Sequence, residues 1–454
     1  MSKLWSKGYE MDALMEEFTV GEDYILDKRL IPSDVLGSLA HAVMLGNVGL
    51  LKPSEEKSLR KGLLLILEEH EKGEFVINRS DEDGHTAIEN RLVDLVGDAG
   101  KRIHLGRSRN DQVLTVTRIW MRQYLLNLID AGASLVSDLL EFAEKNKNIP
   151  MPGRTHMQPA MPSSVGLWAG GFAEQLLDDV KGAASLYFRF DQSPLGSAAG
   201  YGTPLPLDRE KTAELLGFSK VQVNVAYCGL SRGKIESTLL DTLDQIALTL
   251  SKMAQDLILF SMPEFGWFTL PQELCTGSSI MPQKRNPDGL ELMRARSASV
   301  GAWAQQVKAV IRSLPSGYNR DFQDTKGPLM KAADTAMQMI GVSSLTISKL
   351  SVNHERLLES FNPGVFATDA AIVLVAEGET FRDAYREVGT HPERYTGKDP
   401  HSAIKDRTST GTAGNLRLDL AVEELEKVVS ENEHRQRKVS LALEKLAGRR
   451  VDII

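Results

Sequence analysis

Five long stretches with helical periodicity constrain the fold of this chain more than any other feature. The first continues for roughly 36 residues after Gln112, which corresponds to about 54 Å of α-helix. Its apolar residues are too numerous for a single narrow stripe, so we expect this helix to be buried on more than one side. Similar patterns follow at 164–188, 232–260, 288–314 and 326–350. Because strand-like alternation is scarce, the sequence predicts an all-α protein with a bundle of five long helices.

The remaining sequence surrounds this bundle with shorter elements. A chain of 454 residues is long enough for two or three domains that share a large buried core. Short helical patterns alternate with turn signals over 1–106, which predicts an N-terminal helical domain, and the long runs define a central bundle over 107–356. Glycine and proline then interrupt shorter helical patterns, so we predict a small C-terminal helical domain over 357–454.

Composition and charge narrow the possible partners and the compartment. The net charge of −8 argues against nucleic acid or an anionic membrane as a partner of the whole chain. The N-terminus lacks an apolar signal core, and the apolar runs are too short to span a bilayer. The two cysteines, Cys228 and Cys275, have neither the spacing of a metal site nor that of a disulfide framework. These features predict a cytoplasmic protein.

A polar loop at 276–288 has the composition of an active site. Ser278, Lys284 and Asn286 supply a hydroxyl, a cation and an amide, which suit the removal of a proton from a carbon next to a carboxylate. A serine hydroxyl is a poor base, and each unit by which its pKa must fall requires about 1.4 kcal/mol of preferential support for the alkoxide. Cations and backbone amides in a closed, dry site can supply that support. From composition alone, the alternative is an ordinary polar loop between helices.

The segment Gly-Ser-Ser-Ile-Met-Pro-x-Lys-x-Asn-Pro at 277–287 resembles the signature loop of the fumarase and aspartase superfamily. Members of this superfamily release fumarate by β-elimination. The resemblance implies that Ser278 is the catalytic base, and that Lys284 and Asn286 hold the charge that develops on the substrate carboxylate. It also implies that Glu291, just beyond the loop, supports a catalytic histidine.

A second motif, Ser-Arg-Asn-Asp-Gln at 108–112, opens the first long helical run. Free backbone amides and the helix dipole favour anions at such a position. A simple helix cap would account for one residue of the motif, but not for the whole cluster. The pentapeptide resembles the signature of the argininosuccinate lyase branch, whereas fumarases and adenylosuccinate lyases carry other residues here. The resemblance implies that Ser108, Arg109 and Asn110 contact the substrate.

The proline-rich connection at 151–162 contains a third motif. On its residues alone, His156 is an ordinary loop histidine. The connection is similar to the superfamily motif Thr-His-x-Gln-x-Ala-x-Pro, which implies that Thr155 binds the substrate. It also implies that His156, paired with Glu291, delivers a proton to the departing nitrogen. Arg154 stands where this family more often has tyrosine, and the sequence offers no account of that change.

Two further segments resemble the argininosuccinate lyase branch. The tetrad at 82–85 is similar to a Glu-Asp-x-His segment that lines the lyase site, which implies that His85 lies near the substrate. Without the resemblance, His85 would be interpreted as a capping or surface residue. The stretch at 318–326 matches a Tyr-Asn-x-Asp-x-Gln-x-x-Lys motif, although it could also be a charged connection between helices. The resemblance implies that Tyr318, Gln323 and Lys326 hold the arginine half of the substrate.

The resemblance covers nearly the whole chain, with its motifs in family order. It implies a three-domain fold of the fumarase/aspartase type and a homotetramer whose active sites are each built from three subunits. It also implies that argininosuccinate is cleaved without a metal or organic cofactor, in the last step of arginine biosynthesis. Residues 5–9 and 19–23 depart from the family pattern, and the second segment lacks a serine that touches the arginine half.

Two alternative functions remain open from the sequence. The first is another fumarate-releasing lyase of the superfamily, either adenylosuccinate lyase or fumarase. The second is a non-catalytic structural protein, like the lens crystallins of this family, which would be signalled by loss of the reactive groups. The motifs at 108–112 and 318–326 disfavour the first alternative, and the presence of Ser278, His156 and Lys284 disfavours the second.

Overall fold

The computed structural model describes residues 11–395 and 397–454, so the departure from the family pattern at residues 5–9 lies outside the described residues. Short helices precede the bundle, as predicted. They are α1 (Ala13–Val20), α2 (Asp23–Leu26), α3 (Ile31–Asn47), α4 (Pro53–Glu71) and α5 (Gly84–Val96). Short 3₁₀-helices connect them at Asp27–Leu30, Arg79–Asp81 and Gly97–Arg102.

The central part of the chain confirms the five predicted long helices, with bounds that differ from the predicted ones by only a few residues. The helices in this part are α6 (Arg109–Lys145), α7 (Val165–Ser185), α8 (Tyr187–Phe190), α9 (Arg209–Leu215), α10 (Val225–Leu230), α11 (Lys234–Ser261), α12 (Asp288–Ile311) and α13 (Lys326–Lys349). The long ones are α6, α7, α11, α12 and α13. Further 3₁₀ turns lie at Gln272–Leu274 and Arg320–Thr325.

The C-terminal part consists of shorter helices followed by one long helix. They are α14 (His354–Glu359), α15 (Ala367–Ala376), α16 (Phe381–Thr390), α17 (Pro400–Lys405) and α18 (Leu418–Ala447), with 3₁₀ turns at Pro363–Phe366 and Pro392–Tyr395. Among the described residues, no helix combines the length and the apolar character that crossing a bilayer requires.

The described residues also form three two-stranded sheets. The longest is a hairpin of β1 (Pro150–Thr155) and β2 (Gln158–Ser164), which are antiparallel. The others pair β3 (Gln192–Ser193) with β4 (Lys220–Val221) and β5 (Phe268–Thr269) with β6 (Ser351–Val352). The hairpin was not predicted, because its prolines suggested a loop. Both strands of a two-stranded sheet are edge strands, so they tolerate residues that lack a backbone N–H.

Helix α6 lies at the centre of the bundle and packs along α3, α7, α13 and α18. This arrangement confirms that it is buried on more than one side. Even Arg118 and Arg122 of α6 are buried, and they donate hydrogen bonds to the carbonyls of Gln192 (3.1 Å) and Leu216 (2.7 Å). These buried guanidinium groups therefore tie the connections after α7 to the central helix.

The hydrophobic core is continuous between the N-terminal helices and the bundle. Helix α18 returns to this core and packs on α6 through Leu425, Val439 and Leu443, although it lies in the predicted C-terminal domain. A separate small cluster joins α15 and α16. The division into 1–106, 107–356 and 357–454 stays a prediction.

The bundle has two ends that matter for the site. One end, here called the cleft end, holds the N-terminus of α6 and the connection from α12 to α13. The other end, here called the hairpin end, holds the β1–β2 hairpin beside α14 and the loop at 276–288. Helix α12 links the two ends, and its 24 residues correspond to about 36 Å.

Candidate active site

A cleft at the cleft end of the bundle brings together five of the predicted substrate-binding residues. These five residues are Arg109, Asn110, Tyr318, Gln323 and Lys326. The lining also contains other charged side chains, namely Asp23, Asp27, Glu82, Asp83, Arg232 and Arg320. Four carboxylates and four cations therefore share the cleft, which suits a ligand that carries both signs of charge.

Arg109 joins two of the sequence motifs at the rim of this cleft. Its guanidinium lies 3.3 Å from Glu82 and 3.4 Å from Asp83, and it donates a hydrogen bond of 2.8 Å to the Thr86 hydroxyl. The tetrad at 82–85 and the motif at 108–112 are therefore in contact.

Ser108 lies at the start of α6, as predicted, and is its N-cap, which the sequence offered only as the alternative to a contact with the substrate. The hydroxyl of Ser108 accepts a hydrogen bond from the backbone N–H of Asn110 at 3.3 Å. Asp111 is completely buried and accepts hydrogen bonds from the backbone N–H groups of Ser108 (2.8 Å), Gly196 (3.0 Å) and Ala198 (3.1 Å). Burial raises the pKa of Asp111 to about 6 despite these bonds. Its carboxyl group fixes the glycine-rich turn against the start of α6.

Lys326 begins α13 and is buried in the floor of the cleft. Its ammonium lies 2.5 Å from Asp27 and 3.0 Å from Asp23. Burial alone lowers the pKa of Lys326, but the two carboxylates outweigh it, so the pKa is raised above its ordinary value. Lys326 therefore remains charged while it holds the N-terminal segment against the bundle.

Gln323 and Tyr318 occupy the wall above Lys326. The amide of Gln323 donates hydrogen bonds to the carbonyls of Thr19 (3.1 Å) and Val20 (3.2 Å), so the segment at 19–23 forms part of the cleft. The ring of Tyr318 is half-exposed, and the guanidinium of Arg232 lies 5.0 Å from its centre. A substrate role for Tyr318, Gln323 and Lys326 stays a prediction.

His85 lies behind the cleft and is only 4% exposed. Its Nδ1 atom is 2.5 Å from the carboxylate of Asp34. Burial opposes the charged imidazole, but Asp34 outweighs it, so the pKa of His85 is raised above its ordinary value. The described structure therefore gives His85 a buried carboxylate as its partner, and its predicted contact with the substrate stays a prediction.

The 276–288 loop lies at the hairpin end and is closed at its neck. The backbones of Thr276 and Asn286 exchange two hydrogen bonds, of 3.0 and 2.9 Å. Inside the loop, Ser278 Oγ accepts hydrogen bonds from the backbone N–H groups of Ile280 (3.3 Å) and Met281 (3.1 Å). These two donors aim at the oxygen that a deprotonated serine would carry. The loop therefore supplies two backbone amides to Ser278 Oγ, and the role of Ser278 as a base stays a prediction.

His156 lies at the tip of the β1–β2 hairpin and is exposed, as is Thr155. Among the described residues, no ion pair or side-chain hydrogen bond engages His156 or Glu291, so a single chain does not form the expected pair. Lys284 is likewise exposed and forms no ion pair within residues 11–395 and 397–454. All of these side chains remain open to groups from outside the chain.

Two groups of predicted site residues thus lie at opposite ends of α12, which is about 36 Å long, because α12 carries Glu291 near its start and leads to Tyr318 beyond its end. The cleft end holds Ser108, Arg109, Asn110 and the 318–326 motif. The hairpin end holds Thr155, His156 and the 276–288 loop. A substrate molecule cannot touch both groups of one chain.

Sequence reasoning missed several charged residues of the cleft. Arg232 lies over two aromatic rings, and Asp23, Asp27 and Asp34 are the partners of predicted site residues. Arg232, Asp27 and Asp34 belong to no recognisable motif, and Asp23 lies in the segment that departs from the family pattern. Each meets its partner only through the fold. Within the described residues, no group of three or more histidine, cysteine, aspartate or glutamate side chains is arranged to hold a metal ion.

Known proteins resemble this chain over most of its length. A protein-family model described as "Lyase" matches residues 7–301. An argininosuccinate lyase of Stenotrophomonas maltophilia (strain K279a) is 40% identical over 418 residues, which cover 92% of this chain and 97% of that protein. The chain belongs to the argininosuccinate lyase family. Another family member, from Thermotoga neapolitana, is 45% identical over 386 residues, covering 85% of this chain and 97% of that one.

Solved structures support the fold expected of this lyase family. An EDDS lyase in complex with formate superimposes with a TM-score of 0.81 at 24% identity, covering 97% of this chain and 95% of that one. A class II fumarase from Schistosoma mansoni gives a TM-score of 0.71 at 17% identity, with 92% and 95% covered. At these identities the likeness concerns the fold alone. The predicted fumarase/aspartase-like, all-α architecture is confirmed.

Proposed function

We propose that this chain is an argininosuccinate lyase, which cleaves argininosuccinate into L-arginine and fumarate. The observation that carries the proposal is its identity of 40–45% to lyases of that name over most of the chain. The hydrogen bonds that Ser278 Oγ accepts within the 276–288 loop support the same chemistry.

In the proposed reaction, Ser278 removes the proton from the carbon beside a succinyl carboxylate. The backbone N–H groups of Ile280 and Met281 stabilise the serine alkoxide, and hydrogen bonds to a charged acceptor are roughly twice as strong as neutral ones. The electron pair of the broken C–H bond delocalises into the carboxylate as a carbanion. Lys284 and Asn286, together with Ser108, Asn110 and Thr155, hold the charge that accumulates there.

The carbanion then expels the guanidino nitrogen and forms the double bond of fumarate. The nitrogen takes a proton from His156, whose imidazole Glu291 orients and charges. One proton has moved from carbon to Ser278 and another from His156 to nitrogen, so both groups must be reset before the next turnover.

The cleft supplies the proposed binding site for the arginine half of the substrate. Its equal numbers of carboxylates and cations match the zwitterionic end of an amino acid. We assign Tyr318, Gln323 and Lys326 to this half, with Arg109 at the rim and His85 behind it.

We further propose a homotetramer in which the cleft of one subunit meets the hairpin ends of others. The separation of about 36 Å along α12 supports this assembly, since one chain cannot bring Ser278 to its own Asn110. Sedimentation should give a tetramer, and a stable, active monomer would contradict the proposal.

The free thiols of Cys228 and Cys275 support a cytoplasmic location, which cell fractionation tests.

One assay separates the candidate functions. The protein is mixed in turn with argininosuccinate, adenylosuccinate and malate, and fumarate is followed by its ultraviolet absorbance. We expect fumarate from argininosuccinate, together with an equal amount of arginine. Product from adenylosuccinate or malate instead would favour another lyase of the superfamily, and no product from any of the three would favour a crystallin-like structural role.

A further inference from the structure

The turn that presents His156 is conformationally strained. Thr155 pairs with Gln158 across the hairpin, so His156 and Met157 alone make the turn. Both have positive φ angles, of 50° and 64°. Two-residue hairpin turns of this type favour asparagine and glycine, and a left-handed backbone is strained for most other residues. Such a turn persists only when surrounding contacts hold it.

Arg154 makes the contacts that hold this turn. Its Nη2 donates a hydrogen bond of 2.6 Å to the carbonyl oxygen of Met157, across the turn itself. Its guanidinium lies 5.0 Å from the ring centre of Phe265 and 5.9 Å from that of Trp267. The Nε atom is buried without a hydrogen-bond partner in the described part of the chain. The position of the group is therefore set by the two rings and one carbonyl.

The rings beneath Arg154 form a rigid platform. Trp267 is 1% exposed and donates a hydrogen bond of 2.6 Å from its indole N–H to the Ser360 hydroxyl. Phe260 and Phe265 pack on it, with ring centres 4.7 and 5.1 Å away. Because this cluster is anchored in the core, a guanidinium stacked on it can fix the hairpin tip relative to the bundle.

We infer that Arg154 is a positioning residue for His156. It acts through the backbone of the turn and does not touch the reacting atoms. The inference rests on the proposed function, in which His156 delivers a proton to the leaving nitrogen. Tyrosine is more usual than arginine at this position in the family. The inference gives Arg154 a specific role, which is to hold the turn formed by His156 and Met157.

The first variant to test is Arg154→Met, which keeps an apolar stem over the rings and removes the donor. A small misplacement of a catalytic group can cost up to about 100-fold in rate, so we expect kcat to fall by roughly 10- to 100-fold. KM should change little, because Arg154 does not contact the substrate. Hydrogen exchange of the peptide that spans 155–158 should become faster.

The decisive variant is Arg154→Met combined with Met157→Gly. Glycine adopts positive φ without strain, so the turn no longer needs the clamp. We expect the double variant to recover most of the lost kcat and the slower hydrogen exchange. Arg435→Met is the matched control, because Arg435 likewise stacks on a ring (Tyr187, 4.6 Å) and donates to a carbonyl (Ala184, 3.0 Å). Its loss should reduce stability and leave kcat unchanged.

Two results would overturn the inference. One is an Arg154→Met protein with normal kcat and normal exchange at 155–158, and the other is a loss of kcat that Met157→Gly fails to restore. A wild-type protein that makes no fumarate from argininosuccinate would instead overturn the proposed function. In that case the hydrogen exchange of the three variants still decides whether Arg154 holds the turn.

Discussion

The ammonium of Lys326 lies 2.5 Å from the carboxylate of Asp27, a residue 299 positions earlier in the chain. Asp23 lies on the other side of the same ammonium, at 3.0 Å. This triad joins the first residue of α13 to the N-terminal helices and forms the floor of the cleft. Fold stability and the substrate binding that we propose for this cleft therefore involve the same buried charges.

Replacing Lys326 with methionine should destabilise the protein strongly. The change leaves two carboxylates facing each other in a buried site, and breaking a buried pair in this way typically costs about 3–5 kcal/mol. The free energy of unfolding, measured with urea, checks this expectation. Lys331→Met is the matched control on the same helix, since Lys331 is exposed, and it should change stability by no more than about 0.5 kcal/mol. Equal effects of the two changes would refute the role of the triad.

Ser278→Ala should abolish turnover without altering the fold. The variant removes the proposed base but keeps the neck of the loop, which is held by the backbones of Thr276 and Asn286. We expect kcat to fall by at least about 1,000-fold, the scale seen when a principal catalytic group is lost. Ser279→Ala changes the neighbouring hydroxyl of the same loop and should retain most of its activity. Near-normal turnover by Ser278→Ala would rule out the base assignment.

The pair of His85 and Asp34 predicts a specific pH dependence of stability. The pKa of His85 is raised in the folded state. The stability that the pair contributes is therefore fully present below the unfolded-state pKa of about 6.5 and is lost as pH rises through the folded-state pKa. The difference in unfolding free energy between wild type and His85→Gln should therefore shrink as pH rises from that point. Urea titrations at a series of pH values measure it.

His70→Gln provides the control for this pH dependence. Burial lowers the pKa of His70. This histidine therefore makes the folded protein less stable as pH falls, which is opposite to the effect of His85. The difference between wild type and His70→Gln should not shrink at high pH. If the His85→Gln difference stayed constant or grew with pH, the charged pair of His85 and Asp34 would be disproved.

Mixed assemblies should regain activity when their defects lie at opposite ends of the bundle. Asn110→Ala damages the cleft end and Ser278→Ala damages the hairpin end, so a hybrid tetramer can contain some sites with both groups intact. Co-expression of the two variants should give clearly more activity than either variant alone. Ser278→Ala with Lys284→Met is the control, because both changes lie in one loop. Recovery by the control pair, or none by the first pair, would contradict shared active sites.

The sequence alone predicted the elements whose signals are local. A period of 3.6 residues over many turns determines a long helix wherever it is placed, so α6, α7, α11, α12 and α13 were found within a few residues of their bounds. The sequence also placed Ser108 at the start of α6, and its N-cap bond is local, since the hydroxyl and the N–H group that it binds are neighbours in the chain. The family motifs were contiguous strings, and the comparisons confirmed the family that they implied.

Only the tertiary structure decided which distant groups meet. The partnership of Lys326 with Asp27 spans 299 positions, and the stacking of Arg154 on Phe265 and Trp267 depends on how a hairpin docks. The hairpin itself was not predicted, because its prolines indicate a loop when only neighbouring residues are considered. The sheet tolerates these prolines because both of its strands are edge strands. The separation of the two halves of the site also follows from a rigid helix of fixed rise. Local periodicity carries no information about such contacts, because they form only when the core is packed.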